Sequence, residues 1–348
     1  MARGQTEDSM IKVGIINVTG YIGMEIVRLL YGHPGVKLTS VTGRSAAGQK
    51  LGQFLPHLAA IDLTIEEDLG SVDLAFSALP HKDSAAACVA VLERNIKVID
   101  VSADFRLKDA SQYRTWYEHD HPAPKLLKEA VYGLVEINRK QIAPSRLVAN
   151  PGCYPTGAIL AMAPAVKAGI IEPDIIVDSK SGVSGAGRAT SLKTHFAEVD
   201  ENVSAYSIEG HRHLPEIVQG LTAINSRWTL NVTFVPHLIP MNRGILSTCY
   251  ARLADASFDK KKVVDIYKEF YKGERFVKVV DAPPQTKQTL GTNFCFIYPT
   301  VDTRTGRLIV VSCIDNLIKG GAGQAVQSMN LMLGFPEATA LESLAIYP

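Results

Sequence analysis

The sequence has almost no excess of charge of either sign. Its 348 residues include 36 Lys and Arg against 35 Asp and Glu, a formal net charge of +1 at pH 7. A balance this even gives no reason to expect a nucleic-acid or membrane partner. Long apolar runs are also missing, since none approaches the roughly 20 residues of a membrane-spanning helix. Residues 1–9 are polar and lack the apolar core of a signal peptide, which predicts a cytoplasmic protein.

Cysteine is scarce as well. The 5 cysteines are odd in number and scattered, and no two of them lie at the spacing of metal ligands. This pattern argues against a disulfide framework and a zinc site, so we expect reduced thiols and no bound metal. The cysteines are Cys88, Cys153, Cys249, Cys295 and Cys313.

One of these cysteines lies in an informative setting. Cys153 falls within Asn-Pro-Gly-Cys-Tyr-Pro-Thr, residues 150–156, a turn that opens into the apolar helical run 158–163. Backbone N–H groups at a helix start stabilise a thiolate, and they can also hold the oxyanion that forms on a carbonyl under attack. The motif predicts a nucleophile for acyl transfer. A buried, inert cysteine is the alternative, because free cysteine is among the most buried residue types.

The N-terminal segment is typical of a nucleotide-binding βα unit. An apolar strand, residues 11–16, is followed by a tight turn and an amphipathic helix over 24–31. The first glycine of the usual fingerprint is replaced by Asn17, the non-glycine residue type that best tolerates a left-handed backbone. The predicted cofactor contacts in this turn are Thr19, Gly20, Tyr21, Ile22 and Gly23.

The end of the second strand predicts the choice of cofactor. Roughly twenty residues past the turn, where an acidic residue usually binds the adenosine ribose, the chain has Arg44 and Ser45. An arginine there suits a ribose 2′-phosphate and favours NADP over NAD. A solvated surface arginine is the alternative.

Strands and helices alternate through the first part of the chain. A strand at 74–79, a helix at 84–92 and a strand at 97–101 predict an α/β domain with a doubly wound parallel sheet. After residue 153 the chain becomes richer in strands, which predicts a second, mixed α+β domain. No repeat, low-complexity stretch or long linker separates the two, so we expect a boundary near residue 150.

A cluster of polar residues supplies candidate acid/base groups. His211 and His213 lie close to Glu216, and a neutral-range histidine can take a thiol proton while a carboxylate fixes its tautomer. The same His-x-His could instead be a metal pair or a solvated turn.

Further residues are candidates for binding anions. The loop 179–188 is rich in glycine, hydroxyl and cationic groups, and Arg106 follows the strand that ends at 101. The alternatives are a plain flexible loop and a structural ion pair between Arg106 and Asp104. From the loop, Ser184 and Gly185 are predicted to contact the cofactor, whereas Ser181 and Arg188, with Arg106 and Arg212, are predicted to bind substrate.

These stretches together resemble the N-acetyl-gamma-glutamyl-phosphate reductases, the arginine-pathway members of the semialdehyde dehydrogenase group. Further stretches that match this family, in its order, are residues 101–108, 132–134, 236–244 and 315–320. The resemblance implies a Rossmann domain, residues 10–152 with 319–348, and a domain for catalysis and self-association, residues 153–318. It also implies NADPH as reductant and a homodimer or homotetramer.

The resemblance further implies a reaction. Cys153 would attack the acyl phosphate of N-acetyl-gamma-glutamyl phosphate, and NADPH would reduce the resulting thioester to N-acetylglutamate semialdehyde. We prefer His213 as the acid/base, with His211 close behind and Glu216 as its orienter. The alternatives are a carrier-protein-linked aminoadipyl-phosphate reductase of lysine synthesis, another semialdehyde dehydrogenase such as an aspartate-semialdehyde enzyme, and a non-catalytic nucleotide sensor.

Overall fold

The computed structural model describes residues 10–348, so the polar segment 1–9 lies outside the described residues. The chain divides into two compact units. The first comprises the residues up to Pro151 together with Gly321–Glu342, and the second comprises Gly152–Gly320 together with Ser343–Pro348. The last six residues, assigned to the first domain from sequence, therefore belong to the second unit. There the Ile346 N–H donates to the Leu290 carbonyl oxygen at 3.2 Å.

The first unit contains a sheet whose described pairs are all parallel, in the order β3-β2-β1-β4-β5-β7-β6. The strand order reverses direction between β1 and β4, as in doubly wound sheets, which confirms the predicted fold class of this domain. Its strands are β1 Ile11–Ile16, β2 Val36–Thr42, β3 Ile65–Glu66, β4 Leu74–Ser77, β5 Lys97–Asp100, β6 Val131–Tyr132 and β7 Leu147–Ala149.

Helices bury the central strands of this sheet. All four residues of β4 are buried, as expected for a parallel strand with helices on both of its faces. The C-terminal helix α11 packs against α1 and α6, so this helix completes the first unit. The helices are α1 Tyr21–Leu30, α2 Leu51–Phe54, α3 Ser84–Glu93, α4 Ala110–Tyr117, α5 Pro124–Glu129, α6 Val135–Ile142 and α11 Gly323–Met332.

The second unit is built on a mixed sheet in the order β12-β13-β14-β11-β8-β10-β9. Along β8, Ile175 and Val177 are fully buried while the intervening Ile176 is 41% exposed, so the sheet has one covered face and one more open face. The strands are β8 Ile171–Gly182, β9 Ser204–Ala205, β10 Asn231–Ile239, β11 Ile245–Leu253, β12 Val277–Val279, β13 Cys295–Asp302 and β14 Arg307–Ile314.

Three helices of the second unit pack on this sheet. The long α7 contacts β8, β11 and β14, and α9 lies directly against α7. These two helices approach each other closely at Gly220, which has no side chain. A Cβ there would come within 2.4 Å of the Ile159 Cδ1. The helices of this unit are α7 Cys153–Ala168, α8 Phe196–Val199, α9 Leu214–Ile224 and α10 Lys260–Phe270.

Within residues 10–348, no helix combines the length and the apolar character that crossing a bilayer requires.

We predict that Gly23→Ala destabilises the first unit by about 1–3 kcal/mol, because overpacking a close contact costs that much. A Cβ at Gly23 would lie 2.7 Å from the Asn17 carbonyl oxygen and 2.8 Å from the Val18 Cα, and backbone atoms cannot rotate away. Urea unfolding measures the effect. Gly32→Ala is the matched control, since a Cβ there meets nothing within 4 Å. Equal stability of the two variants would contradict the prediction.

Candidate active site

The turn after β1 is built around Asn17. This residue has a φ of +66°, the left-handed conformation expected from the sequence. Its side-chain Nδ2 donates to the Ala78 carbonyl oxygen at 2.9 Å, and its Oδ1 accepts from the Thr19 hydroxyl at 3.1 Å. Its backbone N–H donates to the Thr42 Oγ1 at 3.2 Å. Asn17 therefore ties together the carboxyl ends of β1, β2 and β4, and a glycine would keep the backbone bond to Thr42 but lose the side-chain bond to Ala78.

Helix α1 begins at Tyr21, three residues earlier than predicted, so three of the predicted cofactor contacts form its first turn. Its N-cap is Gly20, which supplies no capping side chain, and the first turn contains no acidic residue. The N–H groups at the start of a helix attract an anion such as a pyrophosphate. The local structure therefore fits the predicted role of this turn.

A cavity of about 550 Å³ lies beside the carboxyl ends of these strands. Its volume is within the range of small-molecule and cofactor sites. Asn17 lines it at the turn, and both Arg44 and Ser45 line it beyond β2. The cavity therefore has an arginine and a hydroxyl where the sequence predicts a 2′-phosphate site, and the assignment of these two residues to that phosphate stays a prediction.

A second arginine of this cavity is not evident from the sequence. Arg94, just after α3, lines the cavity together with Glu67, Asp68 and Leu69. Its guanidinium donates to the carbonyl oxygens of Leu69 at 3.0 Å and Gly70 at 2.7 Å, which fixes this wall. No local motif marks an arginine that acts on a loop 24 residues away.

Cys153 is the first residue of α7, and the preceding Gly152 is the N-cap. As in α1, the cap has no side chain and the first turn has no acidic residue. Cys153 is partly accessible, whereas the other four cysteines are buried. Burial raises the pKa of Cys249 to about 12 and that of Cys313 to about 11, and it also raises the pKa of Cys88. Cys153 thus differs from the remaining thiols in both access and position.

Glu216 connects the nucleophile turn to α9. This glutamate is 1% exposed, and its Oε1 accepts a hydrogen bond from the Gly152 N–H at 2.7 Å. It stands at the third position of α9, directly after the histidine segment. The contact holds the start of α9 against the start of α7. The orienting role predicted for Glu216 stays a prediction.

The two histidines lie beside the aromatic ring that follows the nucleophile. Their ring centroids are 4.8 Å apart, and each is 5.8 Å from the centroid of Tyr154. The His213 backbone N–H donates to the His211 Nδ1 at 3.0 Å, so the neutral His211 carries its proton on Nε2. Burial, aided by the charge of Arg212, lowers the pKa of His211 to about 4.

The predicted anion-binding residues fall in different environments. Arg106 is 7% exposed, and its guanidinium donates to the carbonyl oxygens of Asn150 at 2.8 Å and Val101 at 3.0 Å. Arg188 and Arg212 are exposed. Asp104, the suggested ion-pair partner of Arg106, accepts from the Tyr113 hydroxyl and from two backbone N–H groups.

The loop after β8 is fixed by an asparagine from the C-terminal part of the unit. Asn316 donates to the Ser184 hydroxyl at 2.9 Å and accepts from the Gly244 N–H at 2.7 Å. Ser181 is buried and donates to the Gly182 carbonyl oxygen, whereas Gly185 is exposed. Asn316 joins two loops that are 60 residues apart, a link that local sequence patterns do not reveal.

The first unit thus holds the candidate cofactor residues 19–23, 44 and 45 together with Arg106. The second holds the candidate nucleophile, both histidines, Glu216 and the loop after β8. Among residues 10–348, no group of three or more His, Cys, Asp or Glu side chains is arranged to hold a metal ion.

Comparison with known proteins assigns a family model to each unit. Residues 12–145 match the model "Semialdehyde dehydrogenase, NAD binding domain", and residues 153–316 match "Semialdehyde dehydrogenase, dimerisation domain". An N-acetyl-gamma-glutamyl-phosphate reductase of Dehalococcoides mccartyi strain CBDB1 is 59% identical over 338 residues, 97% of this chain and 99% of its own length. A reductase of the same name from Pelotomaculum thermopropionicum is 49% identical over 347 residues, with the same coverage.

A solved structure shares the fold. The crystal structure of aspartate semialdehyde dehydrogenase II from Vibrio cholerae has a TM-score of 0.72 at 18% sequence identity, over 93% of this chain and 99% of the other. At that identity the likeness concerns the architecture of the chain, a dinucleotide-binding sheet followed by a mixed sheet.

We predict that iodoacetamide alkylates Cys153 before the other four cysteines of the native protein. The buried thiols are sheltered from the reagent, and alkylation requires the thiolate, which burial disfavours. Mass spectrometry of tryptic peptides after timed quenching gives the order of labelling. Cys153→Ser is the control and should lose only the fast site. Faster labelling of any other cysteine would refute the assignment.

Proposed function

The chain belongs to the semialdehyde dehydrogenase family, in the group of the N-acetyl-gamma-glutamyl-phosphate reductases, and we propose that it reduces N-acetyl-gamma-glutamyl phosphate to N-acetylglutamate semialdehyde and phosphate with NADPH. The observation that carries this proposal is Cys153 at the uncapped start of α7, in a chain 59% identical to such a reductase over nearly its full length. A nucleotide sensor would have no need for this cysteine beside two histidines.

Cys153 is the nucleophile. Its sulfur attacks the carbonyl carbon of the acyl phosphate, a C–S bond forms, and the C–O bond to phosphate breaks, which leaves a thioester and free phosphate. The N–H groups at the start of α7 favour the thiolate and stabilise the oxyanion of the tetrahedral intermediate. The N-cap Gly152 has no side chain of its own to cap these N–H groups.

His213 is the acid/base group. It accepts the thiol proton before attack. Once the thioester has been reduced, the hemithioacetal alkoxide collapses to the aldehyde, its C–S bond breaks, and His213 returns the proton to the departing Cys153 sulfur. His211 is less suited, because its Nδ1 accepts the His213 N–H and its pKa is lowered to about 4. At neutral pH an imidazole of that pKa holds almost no proton to donate. His211 is instead a positioning residue for His213 and the Tyr154 ring.

The cofactor binds in the first unit. Residues 19–23 hold its pyrophosphate at the start of α1, and Arg44 with Ser45 binds the ribose 2′-phosphate in the adjoining cavity. The bound NADPH supplies the hydride that reduces the thioester carbonyl. Ser184 and Gly185 are further proposed contacts of the cofactor.

The substrate's charged groups require cations. Arg188 and Arg212, both exposed cations, bind the carboxylate and the phosphate, with Ser181 as a hydroxyl contact. Arg106 acts at the turn itself, because its bonds to the carbonyls of Asn150 and Val101 brace the segment that precedes Cys153.

The second unit also mediates self-association. Its match to a dimerisation model and the 41% exposure of Ile176 on a central strand support a second copy packed on the open face of the sheet. The assembly is a homodimer or homotetramer of a cytoplasmic enzyme, and sedimentation of the purified protein distinguishes the two.

The test of the function is the reverse reaction. Purified protein, phosphate, NADP and N-acetylglutamate semialdehyde should produce NADPH absorbance, whereas aspartate semialdehyde and the aminoadipate semialdehyde should give much lower rates. Loss of activity in Cys153→Ser completes the test. If the protein prefers another aldehyde, the proposed substrate is wrong. If Cys153→Ser keeps full activity, the proposed mechanism is wrong.

We predict that Arg44→Asp weakens NADPH binding about ten- to a hundredfold and NADH binding far less. A charged donor to the 2′-phosphate contributes roughly 1.5–3 kcal/mol, and NADH has no such phosphate. Titration by fluorescence or calorimetry measures both affinities. Arg94→Ala is the matched control, because loss of its bonds to Leu69 and Gly70 should weaken both cofactors alike. Equal loss of both cofactors in Arg44→Asp would exclude its contact with the phosphate.

We predict that His213→Asn lowers kcat/KM roughly a hundred- to ten-thousandfold and removes a limb of its pH profile, because acid/base groups contribute that much. His211→Asn should retain both limbs and mainly raise KM. If only His211→Asn alters the pH profile of kcat/KM, then His211 is the acid/base group instead.

Stability provides an independent check on His211. Because its folded pKa, about 4, lies below its unfolded value of about 6.5, the stabilising effect of the neutral form is complete above pH 6.5 and is lost as the pH falls towards 4. His211→Asn should therefore unfold with a weaker pH dependence in that window, as measured by thermal melts.

A further inference from the structure

The chain leaves the second unit through a segment that contacts the nucleophile. Residues Ile318–Ala322 form one turn of π-helix, a conformation often found at functional sites. Within this segment Gly320 lies directly against Cys153. A Cβ built on Gly320 would come within 2.8 Å of the Cys153 Cβ and 3.1 Å of the Cys153 Cα. Such distances are too short for carbon atoms, so only glycine fits the present arrangement.

The cysteine side of this contact cannot relax by rotating a side chain. The clashing atoms are the Cα and Cβ of Cys153, whose positions are set by the backbone at the start of α7. Residues Tyr154–Val166 of this helix are all buried, which fixes its axis. A methyl group on Gly320 would also meet the Ile314 Cδ1 at 3.3 Å.

Asp315 anchors the other side of the contact. Its side chain is fully buried, and its Oδ1 accepts from the N–H groups of Leu317 at 2.8 Å and Ile318 at 3.1 Å. The Gly320 N–H donates to its carbonyl oxygen at 3.0 Å. These three bonds fold the segment back on Asp315.

The carboxylate of Asp315 is itself held from two further segments of the unit. Its Oδ2 accepts from the Gly291 N–H at 2.8 Å and lies 3.1 Å from the Arg243 Nε. Breaking one member of such a buried, paired network is costly. The segment that contains Gly320 therefore cannot shift cheaply away from Cys153.

We propose that Gly320, held in place by Asp315, is a positioning residue that sets the location and orientation of the Cys153 thiol. The inference rests on the proposed role of Cys153 as nucleophile. Gly320 touches neither substrate nor cofactor in this role. It acts by permitting a contact that holds the first residue of α7 at the position where the thiol reacts.

The proposal predicts that Gly320→Ala moves Cys153 and lowers kcat about a hundredfold, since a displacement of about 1 Å can cost that much in rate. The Kd for NADPH should stay within about twofold, because residues 19–23 and Arg44 belong to the first unit. Alkylation of Cys153 by iodoacetamide as a function of pH should show a changed plateau rate or midpoint, a readout that a loss of folded protein would not mimic.

Gly157→Ala is the matched control. It places the same methyl group one turn further along α7, where its nearest neighbour is the Ser312 Oγ at an ordinary 3.4 Å. Its activity and alkylation profile should equal those of the unchanged protein. If the unchanged protein is active and Gly320→Ala has the same kcat and alkylation profile, the inference is overturned. If the unchanged protein is inactive, the proposed function is refuted instead.

A double-mutant cycle tests the contact even if Gly320→Ala folds poorly. Cys153→Gly removes the Cβ that lies nearest to the added methyl group, so Gly320→Ala should lower the melting temperature less in the Cys153→Gly background than alone. Equal effects in both backgrounds would mean that Gly320 does not act through Cys153, and the inference would fail.

Discussion

The hydrogen bond from the Gly152 N–H to the Glu216 carboxylate is the contact on which the candidate catalytic arrangement depends. It joins the starts of α7 and α9, the two helices that begin at Cys153 and immediately after His213. One turn further along α9, Gly220 allows the helix axes to approach because a side chain there would strike Ile159. Cys153 and His213, the proposed nucleophile and the proposed acid/base group, are 60 residues apart in sequence and are thereby brought to neighbouring helix ends.

The parts of this arrangement that sequence could predict are those set by local physics. Asn17 was expected in a left-handed conformation because few other residues tolerate it, and its φ is +66°. Cys153 was expected at a helix start because a turn of proline and glycine precedes an apolar run. The alternation of strands and helices likewise predicted the parallel sheet, since the spacing of apolar residues that marks each element is visible within a short stretch of sequence.

The parts that sequence could not predict depend on contacts between distant segments. Arg94 fixes a wall of the cofactor cavity, and Asn316 fixes the loop after β8, yet neither has a local pattern that marks it. The sequence also could not distinguish His211 from His213 as the acid/base candidate, because both lie in the same motif. They differ only once the fold buries His211 and directs the His213 N–H to its Nδ1. Burial and tautomer are properties of the packed protein, not of the motif.

A shared principle links the cofactor turn and the nucleophile. Helices α1 and α7 both begin after a glycine, without a capping side chain or an acidic residue in the first turn, whereas α4 and α10 use the aspartates Asp109 and Asp259 as caps. Replacing a capping side chain by alanine typically costs a helix about 1 kcal/mol. Replacing it by glycine costs only a few tenths of a kcal/mol. The small loss leaves N–H groups available for an external anion. At α1 that anion is the pyrophosphate of the proposed cofactor. In the proposed reaction the anion at α7 is first the thiolate and then the oxyanion, so the same electrostatic effect would serve both binding and catalysis.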